Sequence, residues 1–375
     1  MLDVAERPGK TQTDVMLAVR GLEAWYDESH ILHGMTFDVR QGEVVTLLGR
    51  NGAGKTTTLR LIAGLEKPTE GQVFIDGVDV ADWGAAERDV ALVLQQYSLY
   101  PRLTVRENLE FPLKPKIRRV PDAEIKERVA RAAKTLRIEH LLDRKVDRLS
   151  GGEMQRVSIG RAIVRKPRVF LMDEPLSALD AKLREALRTE LKNLQMQLGA
   201  TFLFVTHDQI EAMSMGDKVG VLNHGRIVQT GTPQEIYNNP RDTYVASFVG
   251  SPPMNLMDGR LVDGRAVMAP MTFELPLPEG GGRTGGTTDG RPLVFGIRPE
   301  DVHLESGAPV EALVHDVENH GVEKIVTLRV GDVHLRATVP AQTSVAAEQT
   351  VRLAWNPDKV VLFDKGNGVS LRHGG

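Results

Sequence analysis

VVTLLGRNGAGKTTTLRL, residues 44–61, decides how the rest of the chain is read. Val44, Val45, Leu47 and Leu48 make a short apolar run that stops at Gly49, the pattern of a buried strand. A glycine-rich turn follows, and Thr56 to Ala63 reads as a helix ending near Gly64. Gly49, Gly54, Lys55 and Thr56 satisfy G-x-x-x-x-G-K-[ST] in full, within the strand-turn-helix setting that the pattern demands. Backbone N–H groups can ring a polyphosphate only where no Cβ intrudes, which gives Gly49, Gly52 and Gly54 a reason to be glycine. Arg50, Asn51, Ala53 and Thr57 complete the loop, Lys55 offers a point charge to the β and γ phosphates, and the Thr56 hydroxyl is a ligand for Mg²⁺. The competing reading, an ordinary glycine-rich turn beside a surface lysine, is disfavoured by the strand and helix on either side.

Upstream, Met16 to Val19 and Thr36 to Val39 read as strands bracketing Trp25 and Tyr26. An aromatic just ahead of a phosphate loop can stack on a purine ring, although aromatics are more often core. Downstream, Gln72 to Ile75 and Val78 to Val80 flank Asp76-Gly77, a hairpin signal, and Val90 to Leu94 is an apolar strand ending at Gln95 and Gln96. From Tyr97 to Arg148 the period turns helical: Ile125, Val129, Ala132, Ala133 and Leu136 share a face, with Asp122 as the expected N-cap. Leu149 to Arg156, LSGGEMQR, opens a helix expected to end before Pro167, and its glycines leave N–H groups open to an anion. Arg168 to Met172 is a strand running into Asp173 and Glu174, and Thr201 to Val205 is another that delivers His207 and Asp208. Between them Leu183, Leu187, Leu191, Leu194 and Leu198 form a stripe that packs a helix on the sheet. Such alternation implies an α/β fold with a largely parallel, doubly wound sheet. Its ligands lie beyond the carboxyl ends of the strands, where Gly49, Gln95, Asp173 and His207 fall.

At 375 residues the chain exceeds one core, and two main domains are expected. Residues 1–14 read as a flexible arm, 15–250 as a nucleotide-binding domain with a helical subdomain at about 97–160, and 251–375 as a small all-β barrel. The barrel begins after Ser251-Pro252-Pro253 and contains a glycine- and proline-rich loop from Pro276 to Pro292. Its strands are Leu293 to Ile297, Val310 to Val317, a hairpin around Gly331-Asp332, Val351 to Trp355 and Val360 to Phe363. A net charge of −3 gives no sign of a nucleic-acid surface, and with no cysteine there is no disulfide, thiolate metal site or cysteine nucleophile. The N-terminus lacks the apolar core of a signal peptide, and nowhere do about 18 apolar residues run together, so membrane work is expected to go through a partner.

Asp173, at the end of an apolar strand, is the usual partner of the loop Thr56 for Mg²⁺. Glu174 beside it can orient and deprotonate an attacking water, a task typically worth about 10² to 10⁴ in rate. Gln95 is neutral and can ligate Mg²⁺ or water without shifting charge. His207 reads either as a γ-phosphate contact or as a satisfied core histidine. LSGGE is a second anion-binding helix start with no phosphate of its own. Two copies meeting head to tail would let one γ-phosphate be held from both sides, and hydrolysis would then depend on dimer closure.

GRNGAGKTT, the glutamine in VLQQYSLYP, LSGGEMQR, FLMDEPLSALD and FVTHDQ, in this order over residues 16–240, resemble the nucleotide-binding subunit of an ATP-binding cassette transporter. The resemblance implies a P-loop cassette with a mixed sheet core, an antiparallel β-subdomain and a helical subdomain, using ATP and Mg²⁺. It implies that Tyr26 stacks on adenine, that the loop around Lys55 and Thr56 binds phosphates and Mg²⁺, and that Gln95 senses the γ-phosphate. Ser150, Gly151 and Gly152 would contact the ATP of the opposite subunit, Asp173 would hold Mg²⁺, Glu174 would be the base, Asp180 would cross the dimer and His207 would be the switch. The family usually has Gln where Glu153 stands.

YNNPRDTYVASFVGSPPMNLM, FGIRPEDV and LAWNPDKVVLFD resemble the accessory OB-like barrel of ATPases that power carbohydrate importers of the maltose, trehalose and glycerol-3-phosphate group. That group implies a homodimer at the cytoplasmic face of the inner membrane, joined to two integral membrane permease subunits and served by an extracytoplasmic solute-binding protein, with no nucleic acid. The insert near Tyr97 to Leu113 would receive a coupling helix. Importers of polyamines or ferric iron carry a related, shorter tail. A soluble cassette ATPase acting on DNA or ribosomes is the alternative from another class, set against the single cassette and short insert here. A chiefly regulatory barrel is a third.

Overall fold

The computed structural model describes residues 14–115, 120–262, 265–268, 271–274 and 290–371. Residues 1–13, nearly all of the expected arm, and 275–289, most of the expected glycine- and proline-rich loop, lie outside the described residues. The chain separates into two compact units, Met1–Pro233 and Gln234–Gly375.

The strands of the first unit are β1 (Val15–Tyr26), β2 (Ser29–Arg40), β3 (Val44–Gly49), β4 (Glu70–Ile75), β5 (Val78–Asp79), β6 (Val90–Val93), β7 (Val169–Asp173), β8 (Thr201–Thr206), β9 (Lys218–Asn223) and β10 (Arg226–Gly231). Its helices are α1 (Lys55–Ala63), α2 (Val105–Glu110), α3 (Asp122–Thr135), α4 (Gly151–Ile163), α5 (Ala181–Leu198) and α6 (Gln209–Met215). One sheet, β2-β1-β4-β5, is antiparallel. The other runs β10-β9-β3-β8-β7-β6, parallel throughout except for β10 at its edge. Parallel strands need cover on both faces, so their sequences read as unbroken apolar runs. Alternate residues serve two cores: Leu171, Leu203 and Val205 pack with α1 and the antiparallel sheet, while Phe170, Met172, Phe202 and Phe204 pack with α2 to α5. The parallel register also brings the ends of β3, β6, β7 and β8 to one edge, which carries the functional side chains.

Two local expectations change. Asp122 is the first residue of α3 with Pro121 ahead of it, so it acts as a first-turn acid and not as the N-cap. In α5 the stripe holds for Leu187, Leu191 and Leu194, but Leu198 is 45% exposed as the last helical residue before Gly199 turns the chain at φ 56°.

Helices α2 and α4 begin with the same device. Thr104 and Ser150 accept from the N–H groups of Glu107 and Glu153, whose carboxylates accept in return from the Thr104 and Ser150 N–H groups, each at 2.7 Å. Those backbone bonds hold both carboxyls below the usual glutamate range. An acid whose pKa is lowered on folding stabilises above its unfolded value, about 4.3, and loses that contribution as pH falls through the folded value. Amide exchange protection at Thr104 and Ser150, the N–H groups that these carboxylates hold, is therefore expected to drop on acidification below about pH 4, ahead of the strand core. Unchanged protection at both amides would show that the carboxylates do not hold these helix starts.

The second unit opens with α7 (Pro233–Asn238) and α8 (Thr243–Phe248). It continues through β11 (Asn255–Val262), β12 (Arg265–Met268), β13 (Met271–Glu274), β14 (Pro292–Ile297), β15 (Val302–Leu304), β16 (Val310–Asn319), β17 (Glu323–Val330), β18 (Val333–Pro340), β19 (Thr350–Trp355) and β20 (Val361–Asp364). Two antiparallel five-stranded sheets, β13-β12-β11-β14-β20 and β15-β19-β16-β17-β18, enclose one core that includes Phe295, Val314, Leu328 and Leu335. The meander of β11 to β13 was not expected from the sequence, because Asp258, Gly259 and Arg260 interrupt its apolar pattern. Arg298 of FGIRPEDV is 3% exposed. It donates to the carbonyls of Ala246 and Val249 at the end of α8 and to that of Tyr237, over whose ring the guanidinium lies at 4.0 Å.

Candidate nucleotide site

The turn between β3 and α1 is built around glycines with different jobs. Gly52 and Gly54 take φ of 81° and 95°, a region that L side chains rarely enter, and a Cβ on Gly54 would lie 2.5 Å from Leu32. At Gly49 the demand is packing: a Cβ there would sit 2.9 Å from that of Leu222 on β9. The turn encloses the Lys55 side chain, 5% exposed, whose Nζ donates to the carbonyls of Gly49 at 2.9 Å and Arg50 at 3.1 Å. Ala53 is buried, Arg50, Asn51, Gly52 and Thr56 are exposed, and Thr57 lies between. With Gly54 as the left-handed N-cap of α1, the helix start faces outward without a side-chain cap, as an anion cradle requires.

The end of β7 supplies both acids, and the end of β8 supplies the histidine. Thr56 donates from Oγ1 to Asp173 Oδ1 at 3.0 Å, joining the first turn of α1 to the end of β7. Octahedral Mg²⁺ with oxygens at about 2.1 Å sets adjacent ligands about 3 Å apart, so this pair of hard oxygens fits one edge of such a shell. Burial pushes the Asp173 carboxyl up from its ordinary value, with the Thr56 hydrogen bond opposing. Glu174 Oε1 lies 3.2 Å from Lys55 Nζ, and Oε2 lies 2.8 Å from Nδ1 of His207, which follows β8. Glu174 adopts φ 43°, unusual for any residue but glycine, and is fixed there because its N–H donates to Val205 O and its carbonyl accepts from Ser177. No sequence pattern signals a non-glycine residue held in this conformation between a lysine and a histidine.

The remaining candidates stand apart from this cluster. Gln95, two residues past β6, is exposed and bonds to none of these side chains. Tyr26, at the tip of β1, is 42% exposed and donates its hydroxyl to Glu66, a partner the sequence did not flag. Asp180 caps α5, accepting from Leu183 N–H at 2.9 Å. Ser150 is exposed at the start of α4, with Gly151 next and Gly152 buried; a Cβ on Gly152 would lie 2.6 Å from Leu183. Leu183 therefore has a use beyond the stripe, because it fills the space under the second glycine of LSGGE. Glu153 contributes the carboxylate of the capping box, a role that glutamine fills equally well.

An ABC transporter profile matches residues 32–177, a MalK OB-fold domain profile 250–302 and a TOBE domain profile 295–363. The trehalose/maltose import ATP-binding protein MalK of Thermococcus litoralis is 45% identical, covering 95% of this chain and 100% of its own length. The sn-glycerol-3-phosphate import ATP-binding protein UgpC of Salmonella typhi is 42% identical over 92% of this chain and 96% of its own. Sulfoquinovosyl glycerol transport ATP-binding protein SmoE of Agrobacterium fabrum is 43% identical over 93% and 97%. Among solved structures, a dimeric bacterial ABC transporter cassette superposes with a TM-score of 0.53 at 32% identity, covering 58% of this chain and 99% of that one. A post-hydrolysis dimer bound to ADP and Pi gives 0.52 at 31% identity, with 58% and 99% coverage.

Proposed function

The chain belongs to the ATP-binding cassette transporter ATPases, and from that premise we propose how its residues energise the import of a sugar or sugar derivative. It is an ATP-hydrolysing subunit. The relatives named above import trehalose and maltose, sn-glycerol 3-phosphate and sulfoquinovosyl glycerol, all polyhydroxylated solutes, which favours that class over polyamines or ferric iron.

The carrying observation is Glu174, one carboxylate oxygen against Lys55 and the other against His207. In this reading the loop from Gly49 to Thr57 cradles the triphosphate, Lys55 balances its β and γ charge, and Tyr26 stacks on the adenine. Thr56 and Asp173 hold Mg²⁺, with Gln95 joining them; Mg²⁺ supplies charge neutralisation on the phosphates. Glu174 takes the proton from the attacking water, and His207 holds that carboxylate in line. Ser150, Gly151, Gly152 and Asp180 complete the site from a second copy of the chain, so that ATP joins two protomers. The cassette spans residues 15–250 and the regulatory or dimerising barrel 251–375.

The partners in this reading are two integral membrane permease subunits, which dock the homodimer at the cytoplasmic face of the membrane, and an extracytoplasmic solute-binding protein. Among the described residues no helix is long and apolar enough to cross a membrane. Affinity purification from a mild-detergent extract is expected to bring down integral membrane subunits, with ATPase activity stimulated when sugar-loaded binding protein is added. Recovery with ribosomes or DNA and no membrane subunit would overturn the transport reading in favour of a soluble cassette ATPase.

A further inference from the structure

A cavity of about 460 Å³ lies on the first unit away from the nucleotide residues, where α3, the ends of α4 and α5 and the starts of β7 and β8 converge. Its wall is mainly apolar, from Ala132, Ile163, Val164, Phe170, Leu198 and Ala200. The charged groups on its lining are Arg128, Arg131, Lys166 and Arg168; Arg131 pairs with Glu127 and Arg168 with Asp76, so the charge open to a ligand comes chiefly from Lys166 and Arg128. Arg128 uses three N–H groups on Glu124 and the Val164 carbonyl and keeps two of its five. Among the described residues the exposed Lys166 ammonium has no hydrogen-bond or ion-pair partner, and the 45% exposure of Leu198 belongs to this rim. Size and lining are those of a small-molecule pocket: apolar bulk with a few charges of one sign.

We propose that this cavity is a second ligand site, for a small anion with an apolar body and a single carboxylate or phosphate head, and that its occupancy tunes ATP hydrolysis. Three elements connect the two places. Helix α4 ends in the cavity and starts at Ser150, strand β7 starts there and ends at Asp173, and helix α5 ends there and starts at Asp180. These elements are rigid bodies about 16 to 27 Å long, so a ligand gripping their near ends restrains the relative positions of residues assigned to nucleotide at their far ends. The binding half stands on the cavity alone, and the regulatory half rests on the nucleotide-site reading above.

The test uses the full chain and three probes of equal length, octanoate, octanol and octylamine, followed by calorimetry and by the ATPase rate. Octanoate is expected to bind about tenfold tighter than octanol, octylamine more weakly than either, and the ATPase rate to change as octanoate saturates. Lys166→Glu with Arg131→Glu, both exposed positions, is expected to leave the basal rate unchanged and erase the octanoate preference. Equal binding of octanoate and octanol, or a preference that survives the double charge reversal, overturns the site. Octanoate binding that responds to the reversal while the ATPase rate stays flat overturns the coupling. Failure of the nucleotide reading is distinguishable, because it abolishes ATP binding and leaves the calorimetric preference intact.

Discussion

Glu174→Gln is expected to bind ATP as the parent does and to hydrolyse it about 10² to 10⁴ times more slowly, the range typical for loss of a general base. The change is close to isosteric, which makes the test sharp. Glutamine still accepts from Lys55 and still reaches His207, and the backbone at φ 43° is fixed by Val205 and Ser177 independently of the side chain. What disappears is the capacity to take a proton. If hydrolysis is what separates the protomers, the variant accumulates as an ATP-bound dimer. Steady-state phosphate release and size exclusion with and without ATP report both effects, and turnover at the parent rate would sink the assignment of Glu174 as base.

The second large effect concerns the geometry between copies. Lys55→Ala removes the buried ammonium that fills the phosphate loop, and Ser150→Arg places a long cation where a second copy is proposed to present its hydroxyl to the γ-phosphate. Each variant alone is expected to be nearly inactive. Mixed in equal amounts they should recover roughly a quarter of the parent activity. Half of randomly assembled dimers are mixed, and each mixed dimer pairs the intact loop of one chain with the intact Ser150 of the other at one of its two sites. No recovery on mixing, with heterodimers demonstrated by differential tagging, would mean that Ser150 does not act across the dimer. Normal activity of either single variant would mean that its residue is not needed.

Much of this protein was legible because its chemistry depends on local sequence. The glycine pattern from Gly49 to Gly54 follows from φ values and contacts that only glycine tolerates, and the unbroken apolar runs of β3, β7 and β8 follow from parallel strands covered on both faces. Where a signal depended on a neighbour in space, reading along the chain fell short. Asp122 looked like an N-cap until Pro121 took the position, Leu198 looked like core until α5 ended at the surface, and β11 to β13 were hidden by polar interruptions.

By itself the sequence determined the phosphate loop and the acids that follow an apolar strand, because periodicity and backbone constraint are written residue by residue. Only the tertiary structure decided that Glu174 is strained between Lys55 and His207, that Leu183 lies under Gly152, and that three elements run from these residues to a cavity lined by cations. Those facts depend on the order in which strands lie in the sheet. That order is set by which faces bury the most apolar surface together, a property of the whole fold that no short stretch carries.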